Sequence, residues 1–236
     1  MVKTEPEILT AEDVGSRWVV RALVLIVGVH LLIVAANFSS LMELDYFDRA
    51  FNINAEATFN AWLSSALLLT IGLLAGISAY VELDAGQNPR IWKGWTLVSA
   101  GFIVLSVDET VSLHEMMGRF VDRYLDVSFL PGGYKWVLVV GPLAFVVALL
   151  LGYWLATAIG RNSVTTRLAL IALGLWVSVP LWEAISPTLG EPLWLVAIEE
   201  SCEVIGEVLF LLAVLIYLRG RLPIRIGDPT PYSARR

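Results

Sequence analysis

The sequence predicts an all-α fold, a polytopic membrane helix bundle with about six transmembrane helices and with both termini in the cytoplasm. Three observations predict this class. First, 57% of the 236 residues are hydrophobic and only 16% are charged, whereas an average soluble domain is about 25% charged. Second, several apolar stretches reach the roughly 20 residues that a helix needs to cross the hydrocarbon core of a bilayer. Third, Lys and Arg are concentrated in alternate connecting segments.

Six long apolar stretches, separated by short connections that carry most of the charges, are the predicted spans. They cover residues 18–38, 59–81, 92–117, 136–158, 164–185 and 193–218. Tryptophans lie near the ends of most of them, where indole rings prefer the membrane interface. The chain is thereby divided into an N-terminal cytoplasmic segment (1–17), a six-helix transmembrane domain (18–218) and a polar cytoplasmic tail (219–236) that is expected to be disordered.

The topology follows from the charges around the spans. A signal peptide has a positively charged segment before its apolar stretch, but here four acids precede the first span, so this span is predicted to be an anchor. With the N-terminus inside, 12 of the 16 Lys and Arg residues lie in cytoplasmic segments and 4 lie in outer ones. By the positive-inside rule, we expect a multi-pass protein of the cell membrane, located in the bacterial inner membrane.

Eight carboxylates fall inside the predicted spans, at depths where a charge is costly. They are Asp108, Glu109, Glu115, Glu183, Glu199, Glu200, Glu203 and Glu207. A charged side chain at mid-bilayer costs on the order of 3 kcal/mol even on the lenient insertion scale. These side chains are therefore expected to face the protein interior or water, and each must be protonated, hydrogen-bonded or paired with a cation.

Depth and helical phase predict that these carboxylates converge in the outer half of the bilayer. The third and fifth spans run outward and carry acids near their ends, whereas the sixth span carries its acids early in its inward run. At about 100° per residue, the four acids of the sixth span fall within one arc of roughly 100°. Asp108, Ser112 and Glu115 are likewise expected to share one face of a continuous third helix. The acidic faces of these two spans are predicted to face each other or a shared cavity.

The chemistry that fits such a cluster best is a metal site open to the outer side. Several carboxylates in a low dielectric repel one another unless protons or a cation intervene. Oxygen-rich sites suit hard divalent cations and one imidazole also admits iron, so the expected cofactor is a divalent Mn, Fe, Ca or Mg ion. The predicted ligands are Asp108, Glu109, His114, Glu200 and Glu203. Further candidate site residues are Glu56, Ser112, Glu115, Glu183, Glu199 and Glu207.

Three functions are compatible with these observations, and the sequence alone leaves them open. The first is a metal-dependent enzyme that acts on a lipid-soluble or periplasmic small molecule. The second is a proton- or cation-coupled transporter in which the acids form a relay, although the inner halves of the predicted spans offer no polar continuation. The third is a non-catalytic accessory subunit of a membrane complex. The net charge of -6 argues against a nucleic-acid partner.

The two histidines are expected to differ in role. His114 lies among the carboxylates of the third span, whereas His30 stands alone in the first span and is predicted to be a packed or hydrogen-bonded, neutral imidazole. Di-iron helix bundles need two Glu-x-x-His motifs, and the sequence contains none. The single cysteine, Cys202, is expected to pack as a small hydrophobic residue.

Overall fold

The computed structural model confirms an all-α bundle with six helices that are long and apolar enough to span a membrane. It describes residues 11–53, 55, 57–86, 88–124 and 136–222. In chain order the helices are α1 (Ala11–Asn37), α2 (Asp45–Phe51), α3 (Phe59–Asp84), α4 (Pro89–Val111), α5 (Leu113–Tyr124), α6 (Trp136–Trp154), α7 (Val164–Ile185) and α8 (Leu193–Arg221). A π-helical turn, Leu155–Gly160, extends α6, and two 3₁₀ turns, Ser40–Glu43 and Ser186–Leu189, lie in the connections.

The six spanning helices alternate in direction, so their ends gather at two opposite ends of the bundle. We call the end at which α1 begins and α8 finishes the terminal end; the connections after α3 and after the π turn lie there too. The opposite end, the distal end, carries α2, α5 and the 3₁₀ turns. Because α8 runs to Arg221, the first three residues of the predicted tail are helical.

Local sequence signals account for the places where two of the spans begin. α4 begins with Pro89, and the Asn88 side chain before it accepts a hydrogen bond from the Arg90 backbone N–H (3.0 Å). α7 begins after Ser163, whose hydroxyl accepts one from the Thr166 backbone N–H (3.1 Å). Proline suits the first helical turn, which needs no N–H donor there, and the two caps satisfy amides that have no partner within the helix.

The packed core lies along α8, which contacts α1, α3 and α7. At mid-height the Phe210 ring contacts the rings of Phe102 and Trp176, with centroids 4.7 and 5.6 Å away. Towards the terminal end Tyr217 packs on Trp95 at 4.6 Å. We call these five side chains the aromatic layer. Trp95 and Phe210 are among the most deeply buried side chains of the described residues, so the layer forms a buried, largely apolar centre of the bundle.

The third predicted span, 92–117, is not a single helix. α4 ends one residue before Ser112, whose left-handed backbone (φ 55°, ψ 48°) breaks the helical phase before α5 begins. The Asp108 carboxylate stabilises this break, because it accepts a hydrogen bond from the His114 backbone N–H at 2.8 Å and so caps the first turn of α5. The prediction that Asp108, Ser112 and Glu115 share one face of a continuous helix is therefore wrong.

The short helix α5 is amphipathic and exposes one apolar face. The exposed apolar residues are Leu113, Met116, Met117, Phe120 and Tyr124, spaced as on one side of a helix. On another side Glu115 and Arg119 form an exposed ion pair one turn apart (2.9 Å). Amphipathic helices with an apolar face of this kind are typical of the membrane interface. α5 directly follows α4 and lies at the distal end of the bundle.

Gly94 provides a direct test of the packing between α4 and the end of α6. A Cβ atom at Gly94 would lie 2.1 Å from Trp154 Cε2, whereas a Cβ at Gly101 in the same helix would meet no atom within 4 Å. Over-packing of this kind costs about 1–3 kcal/mol. We therefore expect Gly94→Ala to lower the thermal unfolding temperature in detergent and Gly101→Ala to leave it nearly unchanged. Equal effects of the two substitutions would contradict the Trp154 placement.

Candidate functional site

A polar cavity of about 240 Å³ opens at the distal end of the bundle. Six glutamates line it: Glu109 from α4, Glu115 from α5, Glu183 from α7, and Glu199, Glu200 and Glu203 from α8. Its other walls include Asn60, His114 and the Trp136 ring. None of the described residues that line the cavity is a Lys or an Arg. We call this cavity the carboxylate pocket.

Half of these glutamates come from α8 because of its phase and its direction. Glu199, Glu200 and Glu203 lie on one side of the helix. Side chains on a helix tilt towards its N-terminus, and α8 begins at the distal end, so all three are directed towards the mouth of the pocket. α4 and α7 end near the same level and add Glu109 and Glu183. The acids of separate spans thus meet in one cavity, as the sequence predicts.

Asp108 and His114 form a hydrogen-bonded pair at the edge of the pocket. Asp108 Oδ2 lies 3.0 Å from His114 Nδ1, and each side chain is 24% exposed. The Trp136 ring packs edge-on against the imidazole, with ring centroids 5.1 Å apart. The imidazole lines the pocket, whereas the Asp108 carboxylate is turned towards His114 and α5. A carboxylate in this position fixes the orientation of an imidazole.

Glu183 and Glu199 line one side of the pocket together. Glu183 Oε2 is buried and has no hydrogen-bond partner among the described residues. This side of the pocket therefore holds an unsatisfied acceptor.

Glu207 lies one turn deeper than Glu203, beneath the floor of the pocket. Its side chain is only 2% exposed, and the Ser64 hydroxyl donates a hydrogen bond to its Oε1 at 2.5 Å. Its Oε2 has no hydrogen-bond partner within the described part of the chain. Residues four apart share a helix face, and the tilt towards the helix N-terminus directs this carboxyl at the pocket. An unsatisfied buried acceptor in that position is costly unless a proton, a water or a cation reaches it.

A polar stripe on α3 supports the acids of α8, and sequence reasoning missed it. Asn60 Nδ2 donates to Glu200 Oε2 at 2.7 Å, one helical turn before the Ser64 contact with Glu207. Neither Asn60 nor Ser64 is among the candidate site residues that the sequence predicts. The available signal was their spacing, since residues 60 and 64 share one face of an otherwise apolar helix.

The other predicted site residues lie at the margin or outside the pocket. Glu115 is 40% exposed at its side chain and engaged with Arg119, and Ser112 is the buried link between α4 and α5. Glu56 lies outside the described residues. In the part of the chain that the structure describes, no three His, Cys, Asp or Glu side chains converge closely enough to hold a metal ion directly. The five predicted ligands thus do not form a ready-made coordination sphere.

The model of one protein family, described as a domain of unknown function (DUF8692), matches residues 19–218. The chain belongs to this family. No curated protein and no solved structure matches the chain. The DUF8692 match extends from the first spanning helix to the last, so the family domain contains the whole carboxylate pocket.

This DUF8692 chain has a second buried carboxylate, Glu82, at its terminal end. The side chain is 1% exposed, accepts a hydrogen bond from the Tyr217 hydroxyl and pairs with Arg221 Nε at 2.8 Å. Ten residues of α8, about 15 Å of helix, separate Tyr217 from Glu207, and the aromatic layer occupies that interval. The pocket is therefore closed towards the terminal end. Sequence reasoning missed Glu82 because it ended the second span at residue 81.

The cap that Asp108 provides for α5 can be tested by hydrogen exchange. Loss of a helix N-cap costs about 1 kcal/mol, so Asp108→Ala should accelerate amide exchange in the first turn of α5 several-fold. The matched control is Glu115→Ala, which removes an exposed ion pair of little energetic value and should leave those amides nearly unchanged. If both variants accelerate exchange equally, Asp108 does not hold the start of α5.

Proposed function

We propose that this DUF8692 membrane protein binds a divalent cation in the carboxylate pocket. The observation that carries the proposal is the convergence of six glutamates on one cavity without a Lys or Arg among the described lining residues; only Glu115, at the margin, has an ion-pair partner outside it, Arg119. Carboxylates close together in a low dielectric destabilise one another, and an uncompensated buried charge costs several kcal/mol. A divalent cation would supply the positive charge, and carboxylate oxygens are the ligands that Ca²⁺ and Mg²⁺ prefer.

The size of the pocket supports a cation that keeps part of its hydration shell. A volume of about 240 Å³ is several times the roughly 30 Å³ that a water molecule occupies in the liquid. Mg²⁺ is commonly held by one or two carboxylates and retains several waters, so it does not need three converging side chains. In this proposal Glu109, Glu200 and Glu203 bind the ion directly or through water molecules. The same ligands would also suit Mn, Fe or Ca.

The roles of Asp108 and His114 differ from the ligand roles that the sequence suggests. Both Asp108 oxygens already accept hydrogen bonds from His114, so the carboxylate is a partner of the imidazole. His114 is the residue of the pair that lines the pocket. We assign the imidazole to the bound ion or its waters, and Asp108 to the orientation of that imidazole.

A metal-dependent enzyme acting on a lipid-soluble substrate is the second candidate function, and the Asp108–His114 pair is the observation that favours it. An imidazole oriented by a carboxylate is a common general base, and a bound divalent ion lowers the pKa of a water that it holds. The exposed apolar face of α5 lies next to His114, which would bring a membrane-dissolved or periplasmic small molecule near the pocket.

The two remaining alternatives receive less support. A proton or cation relay across the bilayer needs polar groups on both sides of the aromatic layer and between them, and the described residues of that layer are apolar or aromatic. An accessory subunit without a ligand gives no reason for Glu183, whose Oε2 is unsatisfied among the described residues, to line a cavity with five other glutamates. Ion binding accounts for both features.

We further propose that the terminal end faces the cytoplasm and that the pocket opens to the periplasm of a bacterial inner membrane. The 12 to 4 distribution of Lys and Arg supports this orientation. In a Cys202→Ala background, Thr188→Cys at the distal end should react with a membrane-impermeant maleimide in intact spheroplasts. Asp84→Cys at the terminal end should react only after permeabilisation. The reverse pattern would place the pocket in the cytoplasm.

The proposed function predicts that one divalent ion binds per chain and that Glu203 contributes to its binding. Isothermal titration of detergent-purified protein with Mn²⁺ and Mg²⁺ measures this. Glu203→Gln removes one negative charge with little change of volume and should weaken binding at least tenfold, since even indirect partners of a metal are worth 10–100-fold. The control is Asp45→Asn, an exposed carboxylate at the distal end. Absence of binding by the unmodified protein would overturn the proposal.

A further inference from the structure

His30 is fully buried, and both of its ring nitrogens lie within hydrogen-bond distance of a polar partner. Nδ1 lies 2.9 Å from Asn60 Oδ1, and Nε2 lies 3.2 Å from Ser201 Oγ. The residue is 0% exposed. The sequence predicts a packed or hydrogen-bonded imidazole at this position, and the structure identifies the polar groups that the ring meets.

The contacts of Asn60 determine which nitrogen of His30 carries the hydrogen. Asn60 uses its amide nitrogen for Glu200, so the amide oxygen that faces His30 can only accept. His30 Nδ1 must therefore carry the hydrogen. On the other side of the ring the Ser201 hydroxyl has a single hydrogen, which can go to the Ala197 carbonyl (2.6 Å) or to His30 Nε2 (3.2 Å). The Nδ1–H donation to Asn60 is therefore the contact that fixes the orientation of the ring.

We infer that His30 and Asn60 are positioning residues for Glu200 in the carboxylate pocket, an inference that rests on the proposed cation binding. His30 fixes which end of the Asn60 amide faces Glu200, and the amide N–H then holds Glu200 Oε2 at 2.7 Å. The connection runs from α1 through α3 to α8, and it turns one pocket carboxylate into an oriented ligand. Partners of this kind, one step removed from the ion, set ligand geometry and affinity.

Burying the polar side chains of His30 and Asn60 is energetically demanding, and this favours a positioning role over simple packing of α1. A buried polar network is stabilising only when each member has its partner, and an apolar side chain in place of His30 would pack without that requirement. Of the pocket glutamates, Glu200 is the one that receives the Asn60 amide. The His30–Asn60 network therefore acts on a single pocket carboxylate. Disrupting this network is expected to change the affinity of the pocket for a cation.

Three substitutions at His30 separate positioning from packing. His30→Asn carries an amide N–H at the δ position, where Nδ1 lies, and so keeps the donor to Asn60. His30→Gln carries its amide one bond further along, near Nε2, and His30→Leu has no donor. We expect Mn²⁺ affinity, measured by isothermal titration, to stay within about threefold in His30→Asn and to fall about tenfold or more in the other two.

A second variant keeps the test decisive if His30→Leu does not fold. Asn60→Leu removes the donor to Glu200 directly and should cause the same loss of affinity. In the Asn60→Leu background, His30→Gln should then add no further loss, because the two residues act through one connection. Unfolding temperatures recorded for each variant show whether a change in affinity is independent of a change in stability.

The outcomes distinguish this inference from the proposed function. If the unmodified protein binds Mn²⁺ but His30→Asn and His30→Gln weaken binding equally, His30 packs without positioning Glu200 and only this inference fails. Additive losses in the double variant have the same meaning. If the unmodified protein binds neither Mn²⁺ nor Mg²⁺, the proposed function fails and this inference fails with it.

Discussion

The architecture depends on one constraint, namely that a carboxylate in a membrane-spanning helix cannot face hydrocarbon. α8 carries four glutamates on one side over little more than two turns, so that side must be covered by protein on neighbouring helices. α3 covers it and supplies the donors Asn60 and Ser64. α4 and α7 end where their own acids can reach the same cavity. The position of α8 against α1, α3 and α7 follows from this requirement.

The same constraint separates the bundle into a polar end and an apolar middle. Acids collect where the distal surface gives access to water and ions, and the aromatic layer closes the bundle below them. Glu82 at the terminal end is paired with Arg221 through Oε1 (2.8 Å), although its Oε2 has no hydrogen-bond partner among the described residues. At the distal end none of the described residues that line the pocket is a Lys or an Arg, and the ion pair of Glu115 with Arg119 lies at its exposed margin. This asymmetry is the physical reason for assigning a binding function to one end only.

The number of spans and the meeting of the acids could be predicted because hydropathy and helical phase are properties of the local sequence. The break at Ser112 could not, since a serine in a helical run has no distinctive pattern and its left-handed backbone depends on the contacts that Asp108 makes with α5. The roles of Asn60 and His30 depend on which helices are neighbours, and periodicity does not specify neighbours. An isolated polar residue on an apolar span looks the same in sequence whether it packs or orients a ligand.

Anomalous diffraction from crystals soaked in Mn²⁺ would show whether the carboxylate pocket holds a divalent cation. Manganese has an anomalous signal that locates it without reference to any assumed ligand. We expect one strong peak among Glu109, Glu200 and Glu203, with the Glu200 carboxylate still held by Asn60. A peak only at exposed surface carboxylates, or none in the pocket at a concentration that saturates binding in solution, would contradict this expectation.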